Sequence, residues 1–185
     1  MDHPPATTAP ARTDSASADP GIARDEVDRL IAAWQRERPD LDVAPMQVLS
    51  RVTRLARHLD LARRQAFAEH GLETWEFDVL SALRRAGHPY ELSPGRLIRE
   101  TMVTSGTMTN RVDRLAQKGL VERLPAPGDR RGVLVRLTTP GRVRVDAALE
   151  RLLVQERKLL ARLSSDQRTS LGALLRTVVS PFDQD

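Results

Sequence analysis

Residues 101–141 read TMVTSGTMTNRVDRLAQKGLVERLPAPGDRRGVLVRLTTPG, and the periodicities within this stretch decide the fold. From Thr104 to Lys118 the spacing predicts a helix with Met108, Val112, Leu115 and Ala116 on one face and Thr107, Asn110, Arg114 and Gln117 on the other. Gly119 stands where a left-handed residue stops a helix. Beyond it, Val121–Leu124 and Val133–Leu137 are rich in β-formers, and the polar loop Pro125–Gly132 joins them as a hairpin with an arginine-bearing tip. Upstream, Ser93 followed by Pro94 is an N-cap and a first-turn proline, which opens a short helix to about Glu100. Two helices separated by so short a turn have helix-turn-helix geometry.

Working outward, Thr74 is expected to cap a helix through Arg85 that buries Trp75, Val79, Leu80 and Leu83, with Gly87 and Pro89 ending it and Tyr90–Leu92 as one short strand. A long helix from about Pro45 to Glu69 carries Val48, Val52, Leu55, Leu59 and Ala62 on one stripe, and Gly71 stops it. Asp25–Glu37 reads as an added helix with Val27, Leu30, Ile31 and Trp34 at helical spacing. Residues 1–21 are Pro, Ala, Ser and Thr without apolar periodicity, the composition of a disordered tail. After the hairpin, Thr139 and Pro140 start a helix with Leu149, Leu152, Leu153, Leu160 and Leu163. Ser164 or Ser165 restarts the chain into a last helix with Leu171, Leu174, Leu175 and Val178. The small module between these terminal helices cannot bury so much apolar surface, so a two-fold homodimer is expected.

The expected fold is therefore mainly α with a small β-hairpin wing: a winged helix-turn-helix with N- and C-terminal dimerisation helices. Aromatics make up only 3% of the 185 residues, which suits a core of Leu, Val and Ala packed between helices. There is no cysteine, so thiolate metal sites and thiol redox sensing are excluded. No apolar run has the length of a membrane span and no signal peptide is visible, so the protein is expected in the cytoplasm, away from any membrane. The inventory also argues against an enzyme. His3, His58, His70 and His88 lack metal-ligand spacing, no glycine-rich phosphate loop appears, and no nucleophile and base can be paired. No cofactor or metal is expected.

Net charge is +4, and all but Lys118 and Lys158 of the 29 basic residues are arginine. Guanidinium forks suit phosphates and carboxylates, but 25 acidic residues offset most of the charge, so its distribution decides. The polar face of the second helix lacks large apolar groups and offers the side chains that read base edges in a major groove, Arg to guanine and Asn or Gln to adenine. Alone it is also an ordinary solvated face. Followed by a hairpin tip reading Asp129, Arg130, Arg131, Gly132, it is better explained as a DNA reader, with the tip reaching the minor groove or phosphates. The expected DNA-facing residues are Ser105, Thr107, Thr109, Asn110, Arg114, Gln117, Arg130 and Arg131, with Asp129 structuring the wing.

This stretch resembles the MarR family of bacterial transcriptional regulators, and the helix order around it extends the resemblance from Asp25 to Phe182. The resemblance implies that the helix after the turn is the recognition helix, that the wing carries Asp-x-Arg as Asp129 and Arg131, and that both terminal regions build the dimer. It divides residues 22–185 into an added N-terminal helix (22–44), a scaffold (45–70), a DNA-binding module (about 74–139) and C-terminal dimerisation helices (140–182).

A narrower resemblance is to the urate-responsive branch of that family, whose signature is a Trp in an extra N-terminal helix, an Asp before the DNA module, an Arg within the recognition helix and an Arg just after it. Trp34, Asp78, Arg111 and Arg123 stand at the matching places. As a unit they imply an Asp78–Arg111 pair, an inward cation at Arg123 for an anion, and Trp34 stacking on a flat heterocycle. Each also has a plainer reading: Trp34 as a packing anchor, Arg111 and Arg123 as phosphate contacts, Asp78 as a solvated flank. The expected function is a regulator, a repressor of a palindromic double-stranded operator, released by a small anionic aromatic ligand such as urate or xanthine. The alternatives are a family member answering a phenolic or other organic acid, and an architectural winged-helix protein without ligand response.

Overall fold

The computed structural model describes residues 23–182, and the expectation for the tail at 1–21 lies outside them. Seven α-helices and three strands follow in the order α1 (Glu26–Glu37), α2 (Met46–Ala68), α3 (Thr74–Arg85), β1 (Glu91–Leu92), α4 (Pro94–Thr101), α5 (Ser105–Gln117), β2 (Val121–Ala126), β3 (Asp129–Leu137), α6 (Thr139–Leu159) and α7 (Ser165–Val179), with a 3-10 turn at Ser180–Phe182. The chain divides into two units, 1–52 and 53–185, with the division inside α2.

In the first unit Asp25 caps α1, accepting from the Asp28 amide at 3.0 Å while the Asp28 side chain accepts from the Asp25 amide at 2.8 Å. Arg51 of α2 holds both carboxylates, at 2.9 and 2.7 Å, neutralising the acidic pair gathered by the helix start. Val27 and Ile31 are buried with Val43, and Met46 packs against them. Leu30 and Trp34, expected on the same stripe, stay exposed.

The second unit has the larger core. Phe67 at the end of α2 stacks on Phe77 of α3 with ring centroids 4.0 Å apart. Around them lie Leu80, Leu83, Leu97, Met108, Leu115, Leu120 and Val135, all fully buried. The sheet is antiparallel in the order β1-β3-β2, with Leu92 opposite Val135 and Val121 opposite Leu137. Two ion pairs tie α6 to the elements before the DNA-reading segment, Arg84–Asp146 at 2.9 Å and Arg151–Glu69 at 2.5 Å.

Three expectations change. The helix expected to be capped by Thr74 is preceded by Glu73, whose amide donates to Glu76 Oε2 at 3.0 Å; the carboxylate three residues on satisfies this amide, and Thr74 becomes the first helical residue. The strands of the hairpin are longer than their apolar residues suggested. Pairing continues to Ala126 opposite Asp129, because a ladder needs only backbone groups, and the irregularity falls at Pro125/Ala126, where proline has no N–H to give. The connection is therefore Pro127 and Gly128, with Gly128 at φ +79°, and Asp129–Gly132 open β3 rather than form the tip. Finally, the stripe Val48, Val52 and Leu55 of α2 is exposed, and α2 buries only Ala66 and Phe67 near its end. The last helix, α7, buries none of its residues.

Candidate nucleic-acid interface

The helix-turn-helix is built by local signals. Ser93 Oγ accepts from the Arg96 amide at 3.3 Å and Pro94 takes the first helical position of α4. Met102 ends that helix in the left-handed region, φ +52°, and reverses the chain within two residues. Thr104 then caps α5, accepting from the Thr107 amide at 3.4 Å. At the far end the Gly119 amide donates to Ala116 O at 2.9 Å and the Leu120 amide to Leu115 O at 3.0 Å. These two bonds, closed by a glycine at φ +67°, form a Schellman stop.

On α5, Met108, Val112 and Leu115 are buried, whereas Ser105, Thr107, Thr109, Asn110, Arg114 and Gln117 are all exposed. The helix therefore presents the face that its periodicity predicts. β2 and β3 stand beside it as a wing, and Arg123 of β2 crosses to α5, donating to Asp113 Oδ1 at 2.6 Å and to Thr109 O at 3.4 Å. Arg123 is thus not the inward cation expected from its strand. Val121 is buried, but Arg123 is exposed and neutralised by Asp113. The side chains of Asp129, Arg130 and Arg131 lie outside the described residues.

The start of α3 grips the opposite edge of α5. Arg114 Nη2 donates to Glu73 Oε1 at 3.1 Å, and its guanidinium lies 4.7 Å from the Trp75 ring centroid. Trp75 Nε1 donates to the other Glu73 oxygen at 2.7 Å. One turn on, Lys118 Nζ donates to Glu76 Oε1 at 2.5 Å. Glu76 is 0% exposed, the one buried charged residue among those described. Glu73, Trp75, Glu76 and Lys118 did not stand out in the sequence as partners across these elements; the two ion pairs join residues 41 and 42 positions apart.

Asp78 also differs from expectation. Its direct partner is Arg63 of α2, at 3.3 Å, while Arg111 lies over the Trp75 ring at 5.5 Å. The ring offers Arg111 a nearby cation–π surface, and Arg63 reaches the carboxylate from the neighbouring helix. Burial pushes the Asp78 carboxyl up, against the opposing pull of Arg63, Arg111 and Arg85. Asp78 and Arg111 therefore share one electrostatic neighbourhood without a direct bond. Trp34 stands exposed on α1 in the first unit.

A model of the MarR family matches residues 70–132, which cover α3 through the wing turn. The transcriptional regulator PecS of Dickeya dadantii is 39% identical over 153 residues, covering 83% of this chain and 92% of that protein. The chain belongs to the MarR family. It is similar to the multiple antibiotic resistance protein MarR of Escherichia coli, 38% identical over 106 residues, 56% of this chain and 71% of that one. A solved structure of an E. coli MarR mutant complexed with operator DNA superposes with a TM-score of 0.61 at 31% identity, over 75% of this chain and all but 1% of that one. The protein is accordingly a transcriptional regulator with a DNA-binding winged-helix fold, not an enzyme. Among the described residues no group of His, Cys, Asp or Glu could hold a metal ion, and no helix is long and apolar enough to cross a membrane.

Proposed function

We propose that this MarR-family regulator binds a palindromic operator as a homodimer, represses transcription by occupying it, and releases it when a small anionic aromatic molecule such as urate or xanthine binds. The observation that carries the DNA-binding part is the exposed polar face of α5, held between two defined caps and flanked by the wing. Residues Ser105, Thr107, Thr109, Asn110, Arg114 and Gln117 supply its hydrogen-bonding groups, and Arg130 and Arg131 on β3 supply the wing's charge, set by Asp129. Dimerisation is supported by apolar groups left in water in the single chain, Leu149 and Leu153 of α6 with Leu174, Val178 and Phe182. A two-fold partner would cover them and set two recognition helices about one DNA turn apart.

Asn110→Ala removes an amide suited to bidentate contact with adenine. Affinity for an operator selected from random duplexes is expected to fall about tenfold to a hundredfold, with binding to random duplex unchanged. A protein that shows no preference for selected over random DNA at any salt concentration would overturn the operator reading in favour of an architectural role.

The ligand part rests on Asp78, half-buried among Arg63, Arg85 and Arg111. A bound anion draws Arg111 from the Trp75 ring and competes with Asp113 for Arg123, and both changes disturb α5. Release then follows from the ligand's differential affinity for the two arrangements. Trp34 of the first unit offers an exposed ring that suits a flat heterocycle. In a melting-temperature panel of purines, aromatic acids and tricarboxylates, urate or xanthine is expected to raise the transition and to free operator DNA. Trp34→Ala and Arg123→Ala are expected to abolish the ligand's effect, the first with operator affinity unchanged and the second with affinity already lowered, because the contacts from β2 to Asp113 and Thr109 are lost. Release that survives both substitutions places the pocket elsewhere, and a response to phenolic acids alone replaces the purine with that class.

A further inference from the structure

The first turn of α3 holds α5 through two ion pairs of opposite character. Lys118 meets Glu76, a carboxylate wholly withdrawn from water and also bonded to the Glu73 amide. Arg114 meets Glu73 with both side chains about half exposed. Lys118 is itself 41% exposed, but the pair is costly to open because the Glu76 carboxylate left behind has no solvent. An exposed pair costs little to open because water screens it and rehydrates both partners. The first is suited to a permanent attachment and the second to an exchangeable one.

Arg114 stands one turn after Asn110 and one turn before Gln117, on the polar face of α5. Its guanidinium is engaged on two sides, by the Glu73 carboxylate along an edge and by the Trp75 ring across a face. Glu73 takes the Nη2 donor of this guanidinium, which a phosphate or a guanine edge bound by both arms of the fork also needs, and a carboxylate left 3.1 Å from it would repel an approaching phosphate. Trp75 Nε1 binds the second Glu73 oxygen, so the carboxylate keeps a partner when the arginine leaves. It also lies at the N-terminus of α3, where the helix dipole favours a negative charge.

We infer that Glu73 and Trp75 form a parking site for Arg114, an intramolecular acceptor that competes with DNA for this guanidinium, while Glu76–Lys118 keeps α5 attached as the arginine swings. Glu73 is thus a positioning residue that lowers operator affinity. The inference rests on the reading that α5 contacts DNA.

The test is a double-mutant cycle of wild type, Glu73→Gln, Arg114→Ala and the double variant, titrated against a duplex selected from a random pool by the wild-type protein, with each variant's melting curve recorded. Glu73→Gln is expected to tighten operator binding about two- to fivefold, the range for opening an exposed ion pair. The gain should vanish in the Arg114→Ala background. Equal tightening in both backgrounds would reduce Glu73 to general repulsion of DNA and overturn the inference. Weaker binding by Glu73→Gln would overturn it in the other direction, with Glu73 aiming Arg114 at the duplex, and unchanged binding would show no competition. If the wild type selects no sequence, the DNA reading of α5 fails instead, and that is scored before any variant is compared.

Discussion

Lys118→Met is expected to lower the stability of the protein by about 3–5 kcal/mol, the cost of leaving a buried charge without its partner. The Glu76 carboxylate is entirely removed from water and has two bonds, one from Lys118 Nζ at 2.5 Å and one from the Glu73 amide at 3.0 Å. Methionine keeps the length and apolar stem of lysine but removes the cation, so packing is preserved and the electrostatic loss is isolated. For a chain of this size the change corresponds to a melting-temperature drop of about 6–20 °C, read by circular dichroism. Pairing it with Glu76→Gln, which removes the buried charge as well, should recover most of the loss, because a neutral amide still accepts from the Glu73 amide. A single variant that melts with the wild type would show that water reaches Glu76, and that the end of α5 is not held as described.

Gly141→Ala is expected to cost about 3 kcal/mol and to lower the melting temperature by about 6–12 °C. Gly141 is buried in the first turn of α6, and a Cβ there would sit 2.1 Å from Leu120 O and 2.9 Å from Leu137 Cδ1. The carbonyl cannot yield cheaply. It accepts from the Thr138 amide at 3.1 Å, and Thr138 Oγ1 also donates to Gly119 O at 2.7 Å. The crowding would therefore be passed to the junction where α5 enters β2 and β3 enters α6, and operator affinity should fall with stability. Gly95→Ala in α4, where an added Cβ meets nothing within 4 Å, is the control and should melt within about 1 kcal/mol of the wild type. If Gly141→Ala behaves like that control, the close approach of α6 to Leu120 is wrong.

The parts of this protein legible in its sequence are those set by neighbours three or four residues apart. Met108, Val112 and Leu115 fall on one face because a helix turns every 3.6 residues, and Ser93, Thr104 and Gly119 act on amides and carbonyls within one turn. The wing was legible as a hairpin but not in extent, since its ladder continues through Ala126 and Asp129, whose side chains carry no strand signal. What the sequence did not disclose is partnership across distance. Asp78 could have met any of several arginines, and it is Arg63, fifteen positions earlier, that reaches it. Glu76 shows the same limit more sharply. Charge and position make it an ordinary first-turn acid, yet Lys118 turns it into the buried anchor of the recognition helix.

Arg123 spans from β2 to both Asp113 and the Thr109 carbonyl, two points a turn apart on α5. The pair is exposed and so costs little to open, but while it is closed a tilt of the strand is passed to the helix, and the two parts that would enter neighbouring grooves move together. A molecule that drew Arg123 away would uncouple them, and the protein would lose the fixed span between its two grips on the duplex while each grip remained intact.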